Sequence, residues 1–164
     1  ASSLVGSEMC IRDRLPTEAE WEYCARFRDH RVTAKYPWGK GFPPPGRAGN
    51  FADQSARDLL AGTLNGYNDG YPVTAPTEQF TASPQGLFDL GGNVAEWCHD
   101  YYSIISYKSG RIDVDPTGPA EGRHHIVRGS SFKHAGISEL RSAYRDYSDD
   151  KRDDLGFRVC RYAK

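Results

Sequence analysis

Apolar residues recur at helical spacing in one place. In "LPTEAEWEYCARF", Trp21, Cys24, Ala25 and Phe27 fall on one stripe, as on a helix that buries a single face. Thr17 stands where an N-cap is wanted and Glu20 follows three residues later, the signature of a capping box. Glu18 and Glu20 occupy the first turn and Arg26 and Arg28 the last, in keeping with the helix dipole. From "YPWGKGFPPPGRAGNF" to "NGYNDGYPV" no period survives, and turn residues dominate: Pro37, Gly39, Gly41, Pro43 to Pro45, Gly46 and Asn68-Asp69-Gly70. Within it "ARDLLAGTL" predicts one short helical turn. A stretch this long and irregular needs something other than a hydrogen-bond ladder to hold it, either a packed aromatic set or a bound ion. Past "FDLGGNVAEWCHDYY" the pattern becomes strand-like. "HHIVRGSSF" and "LGFRVCRY" carry β-branched and aromatic residues between turn signals. There is no internal repeat, low-complexity segment or interdomain linker. The pattern predicts one loop-rich domain with a clear helix near its start and strand-like segments toward its end.

Composition narrows this. A chain of 164 residues with 17 glycines, 10 prolines, 10 tyrosines and 3 tryptophans suits one domain with aromatic anchors, not a helical bundle or a parallel α/β sheet. A formal charge of −1 argues against nucleic-acid binding. No apolar run approaches the ~20 residues that span a bilayer. Cys10, Cys24, Cys98 and Cys160 lack the close spacing of a zinc or redox motif. Cys24, Cys98 and Cys160 sit among apolar or aromatic neighbours and read as small buried hydrophobes, with a disulfide between two of them left open. Residues 1–13 contain "SLVGSEMCIRD", which reads as a translated adapter and not as native sequence. Residues 14–164 are then expected to be the C-terminal part of a single domain.

One short stretch carries candidate chemistry. "DLGGNVAEW" puts Asp89 and Glu96 around a double glycine. If Gly91-Gly92 reverse the chain and the following residues are extended, the Gly92 and Val94 carbonyls join the two carboxylates as four hard oxygens. Calcium, which takes 6–8 oxygens, suits such a set better than magnesium. The rival reading has Asp89 and Glu96 capping turns or pairing with arginines. Asn50 and Asp69, each with a neighbouring carbonyl, form a second oxygen set across two loops. Arg128, Arg141, Arg145 and Arg158 lie among Asp146, Asp149, Asp150, Asp153 and Asp154. They read either as an ion-pair network or as the surroundings of a pocket near "SSFKH", with Ser131 and Arg141 on its wall and an anionic or peptide partner.

Taken in order, "RLPTEAEWEYCAR", "YPWG", "GNF", "SPQGLFDLGGNVAEW", "HIVRGSSF" and "LGFRVCR" resemble the sulfatase-modifying-factor, or formylglycine-generating-enzyme, family from Arg14 to Arg161. The resemblance implies an α+β, C-type-lectin-like fold with few helices and short antiparallel strands, and two structural calcium sites. One would use Asp89, the Gly92 and Val94 carbonyls and Glu96, in a loop that also plants Trp97 in the core. The other would use Asn50, the Phe51 carbonyl, Asp69 and the Tyr71 carbonyl. The family's enzymes bind copper(I) through two cysteines after an "RGGS" motif. Here the motif reads "RGSSFKHAGISELRSAYR". The first cysteine position falls on His134 and the second on Ile137 or Glu139, so copper is not expected. Ala95 stands where a tryptophan often follows the family's "GNV". His134 could gather His99, His124 or His125 around a metal. However, iron-binding members draw their histidines from a separate domain, so iron is expected only with a segment outside this sequence. The resemblance therefore implies a calcium-stabilised binding or accessory domain, with a protein or peptide partner or a small anionic ligand. The rivals are a non-haem iron or other oxidative maturation enzyme, and a diversified lectin-like receptor.

Overall fold

The computed structural model describes residues 13–28, 31–32, 35–83, 85–104 and 112–162. The adapter-like segment therefore lies outside the described residues, Asp13 excepted. Helix α1 spans Glu18–Arg26. It starts where the sequence predicts, because the Thr17 hydroxyl accepts the Glu20 N–H at 3.2 Å and the Glu20 carboxylate accepts the Thr17 N–H at 2.8 Å. A distant residue adds a further cap: Asp100 accepts the Glu18 N–H at 2.7 Å. Phe27, expected on the helical stripe, turns extended (φ −103°, ψ 136°) and opens strand β1, Phe27–Arg28, paired with β2, Arg31–Val32. The predicted turn in "ARDLLAGTL" appears slightly earlier, as a 3-10 helix over Gln54–Ala56.

Strands β3 (Ala95–Tyr101), β4 (His125–Arg128), β5 (Arg145–Ser148) and β6 (Leu155–Phe157) form one sheet in the order β5-β4-β3-β6. The three longer strands pair antiparallel as expected, but β6 crosses to the far edge and runs parallel to β3. The sheet is thus mixed. That register sets Glu96 opposite Gly156 and brings the next residues of the chain, Arg158 included, back to β3.

Two clusters make the core. Trp21, Leu90, Cys98 and Ile126 pack between α1 and the sheet. Tyr36, Phe51, Leu64, Tyr67 and Leu140 fill the irregular half. There the rings form a chain: Tyr36 stacks on Trp38 at 4.9 Å, Trp38 meets Phe51 edge-on at 5.3 Å, and Phe51 meets Tyr67 at 5.9 Å. Aromatic packing of this kind supplies large apolar area without regular backbone. Trp97 is not the core tryptophan. Strand alternation sends Glu96, Cys98 and Asp100 under α1 and leaves Trp97 half-buried on the other face, edge-on to His125 at 6.1 Å. Of the cysteines, Cys98 is buried as read, whereas Cys24 and Cys160 are half-buried, and all three are free thiols. Burial is the main cause raising each of them above the ordinary thiol range.

Candidate functional site

The Asn50–Asp69 oxygen set is built by two segments that the irregular half folds together. Asn50 and Asp53 are fully buried. Asn93 fixes which way Asn50 faces. The Asn93 amide accepts the Ala75 N–H at 2.9 Å and donates to the Ala75 carbonyl at 3.1 Å, so its oxygen is an acceptor. Asn50 therefore presents Nδ2 to that oxygen, at 3.3 Å, and to the Val73 carbonyl, at 2.7 Å. The Asn50 Oδ1 is left buried with no hydrogen-bond partner. A buried acceptor without a donor costs about 1–3 kcal/mol unless something satisfies it.

Asp69 reaches the same two-segment junction. Its carboxylate accepts the N–H groups of Phe51 at 2.9 Å and Tyr71 at 2.8 Å. Burial nevertheless pushes its pKa up to about 6. The two N–H groups oppose that rise, and the neighbouring Asp53 carboxyl adds to it. A neutral amide oxygen without a donor and a desolvated carboxylate are both groups that a hard cation can satisfy. The structure thus places the Asp69 carboxylate on the N–H groups of Phe51 and Tyr71, with Asn50 preceding Phe51 in the chain.

The Asp89–Glu96 set is arranged differently. Residues 91–94 are not extended; Asp89 (φ 58°), Gly92 (φ 121°) and Asn93 (φ 67°) are left-handed, and the strand begins only at Ala95. Glycine is needed at 92, since a Cβ there would stand 2.9 Å from the Asn50 carbonyl oxygen. The buried Glu96 accepts Trp21 Nε1–H at 2.7 Å and Arg158 Nε–H at 2.6 Å, and a second Arg158 N–H reaches its other oxygen. In this arrangement the arginine-pairing alternative describes Glu96, and a cation there would have to displace the guanidinium. Asp89 is half-buried. Burial raises its pKa, and it accepts a long 3.3 Å bond from the Glu78 N–H.

The polar loop after β4 brings Ser131 and His134 together but not Arg141. The Ser131 hydroxyl donates to Asp154 at 2.8 Å, and the Ser131 N–H donates to His134 Nδ1 at 3.0 Å. Arg152 extends this chain, bonding Asp154 at 3.1 Å and Asp146 at 2.9 Å. With Nδ1 accepting, neutral His134 carries its proton on Nε2, and burial lowers its pKa further. Its ring meets Tyr144 edge-on at 5.7 Å. Arg141 is exposed, its backbone closing the turn into β5. Neither a cleft of about 1080 Å³ beside α1 nor a cavity of about 410 Å³ beside Trp38 is lined by Ser131, His134 or Arg141. His124 faces Asp149 at 3.4 Å and His125 bonds the His99 carbonyl at 3.1 Å, both away from the Ser131 loop's partners. Among the described residues, no three His, Cys, Asp or Glu side chains converge as a metal-binding group. Arg128, Arg145 and Arg158 pair with the helix and with β3, not with the acidic 146–154 block: Arg128 with Glu22 at 2.7 Å, Arg145 with Glu18 at 2.7 Å and Arg158 with Glu96 at 2.6 Å. Arg152, Asp53 and Asn93 are the site residues that spacing did not single out. Their chemistry depends on partners 16 to 43 residues away in the cases of Asp53 and Asn93.

Residues 7–163 match the sulfatase-modifying factor enzyme 1-like domain. The chain belongs to this family. It is 35% identical over 155 residues to the formylglycine-generating enzyme of Streptomyces coelicolor, covering 88% of this chain and 45% of that enzyme. Among solved structures, Treponema denticola variable protein 1 superposes with a TM-score of 0.68 at 28% identity, over 92% of this chain and 48% of that one. PvdO from Pseudomonas aeruginosa superposes at 0.69 with 26% identity, over 99% and 57%. The fold is the C-type-lectin-like, formylglycine-generating-enzyme-type arrangement that the motifs imply. The chain spans 38% and 45% of the curated formylglycine-generating enzymes from Thermomonospora curvata and Streptomyces coelicolor, less than half of either. Among the described residues, no helix is long and apolar enough to cross a membrane.

Proposed function

We propose that this chain is a calcium-stabilised binding or accessory domain of the sulfatase-modifying factor family that does not form formylglycine. The observation that carries the calcium reading is the partnerless, buried Asn50 Oδ1, in the segment whose Phe51 N–H the desolvated Asp69 carboxylate accepts. Asn50, the Phe51 carbonyl, Asp69 and the Tyr71 carbonyl would hold the ion. Bound there, calcium would neutralise Asp69 and clamp the 50–53 segment to the 69–71 segment. The proposal is made for this set alone, because Glu96 is already committed to Arg158 and Trp21. Copper(I) prefers soft thiolates, and the Ser131–Arg141 loop offers an imidazole and a carboxylate instead. The residues present do not fit that metal.

The partner in this reading is a protein or peptide more than a small anion. What supports this is the cleft beside α1, whose walls combine Tyr23, Phe27, Ile112 and Val114 with charged side chains. Its arginines, Arg128 and Arg145, already face Glu22 and Glu18, which leaves them poorly placed to capture an anion.

The test is a thermal melt with calcium and with EDTA, run beside oxygen uptake on a cysteine-containing peptide with copper(I) or iron(II). A calcium-dependent rise in Tm with no metal-dependent oxygen uptake is expected. Metal-dependent uptake would overturn the non-catalytic reading, and an unchanged Tm would overturn the calcium reading.

A further inference from the structure

Asp53 is fully buried and belongs to neither segment's expected ligand set. Its two oxygens are both engaged. Oδ1 accepts the Ser55 N–H at 2.8 Å and the Ser55 hydroxyl at 2.6 Å, capping the short 3-10 helix. Oδ2 accepts the Asp69 main-chain N–H. One carboxylate therefore ties the segment bearing Asn50 and Phe51 to the segment bearing Asp69 and Tyr71. The tie is reinforced on both sides by backbone bonds, Leu64 N–H to the Ala52 carbonyl at 2.7 Å and Gln54 N–H to the Tyr67 carbonyl at 3.3 Å. Among the described residues no ion pair joins either carboxylate to a basic side chain. Two acids thus share a desolvated junction with an unsatisfied amide oxygen and no protein cation. Like charges this close oppose each other at low effective dielectric, and a bare junction of this kind is costly to keep.

We propose that Asp53 is a positioning residue of the cation site: it sets the Asp69 segment in register with Asn50 and adds a second negative charge that a divalent cation offsets. The inference rests on the calcium reading above. It makes a prediction that a purely structural hydrogen bond does not. Asp53→Asn keeps the shape of the side chain and removes one charge; its single oxygen can accept from the Asp69 N–H or from the Ser55 N–H, so one of these two bonds is lost with the charge. Without the cation that removal relieves repulsion; with the cation it removes attraction.

The experiment is calcium titration by calorimetry, with thermal melts in EDTA and in calcium, on the full chain and on Asp53→Asn. A calcium Kd weakened about 10-fold or more is expected, the size typical of residues that orient metal ligands. The gain in Tm from calcium is expected to be smaller in the variant than in the unaltered chain, measured from each one's own Tm in EDTA. An unchanged Kd would overturn the role of Asp53 while leaving the calcium reading intact. Equal losses of Tm with and without calcium, or failure of the variant to fold in EDTA, would also overturn it, since both mark a structural bond. Absence of any calcium response in the unaltered chain would sink the calcium reading itself, and this inference with it.

Discussion

Trp21 Nε1 donates to Glu96 across 75 residues of sequence at 2.7 Å, inside the core cluster between α1 and the sheet. Arg158 closes the same carboxylate from the other side. Glu96 is only 5% exposed, so its charge depends on these partners. Removing one partner of a buried pair is far costlier than the net worth of the pair. Arg158→Met is expected to destabilise by about 3–5 kcal/mol in urea unfolding. Arg158→Met combined with Glu96→Gln should recover part of that loss, because the stranded charge is gone.

Asp69 predicts a pH dependence of unusual sign. Its folded pKa, about 6, lies above the ordinary aspartate value of 3.8. Between those two values the folded chain holds a proton that the unfolded chain has lost. Stability in EDTA should therefore fall as pH rises from roughly 4 to 6, since the folded state binds more protons. Melts of the chain and of Asp69→Asn over that range check it. The difference between the two should shrink toward low pH. A difference that grows toward low pH would contradict the assignment.

His134 has the opposite dependence on acid. Burial lowers its pKa below the ordinary imidazole range, so on acidification the unfolded chain takes up its proton first. Its contribution to stability is present above about pH 6.5 and declines as pH falls below it. The His134 imidazole resonances should titrate with a midpoint below 6.5. His134→Ala strands the buried Ser131 N–H and should cost about 1–3 kcal/mol at neutral pH.

The glycine pair in "DLGGNV" is tested through Gly91. A Cβ at Gly91 would stand 2.2 Å from Cγ of Pro37, in a wall of the cavity beside Trp38. Gly91→Ala should destabilise by about 1–3 kcal/mol through overpacking. Gly41→Ala meets nothing within 4 Å and serves as the control. Equal melting temperatures for the two variants would refute the contact.

Helix α1, with its Thr17–Glu20 box, was legible because the signals that make it lie within three residues of one another. The aromatic set and the strand segments were legible as composition and alternation, and the ordered motifs carried the family. Phe27 was misassigned to the helix because its stripe position is helical while its backbone pairs with Val32. Trp97 was misplaced because alternation alone does not say which face of β3 the helix covers. The two oxygen sets looked alike in residue types. Yet one holds an acceptor with no donor, and the other is filled by an arginine 62 residues downstream.

Local hydrogen bonding and apolar spacing are written into neighbouring residues, and so the amino-acid order alone specified the helix start, the loop-rich character and the family. Pairings between distant side chains follow from sheet order and register. The parallel return of β6 beside β3 is what carries Arg158 to Glu96. The Asn93–Ala75 bonds turn the Asn50 amide so that its oxygen has no donor. Neither outcome follows from spacing, because each depends on which segments meet once the chain has collapsed around its two cores.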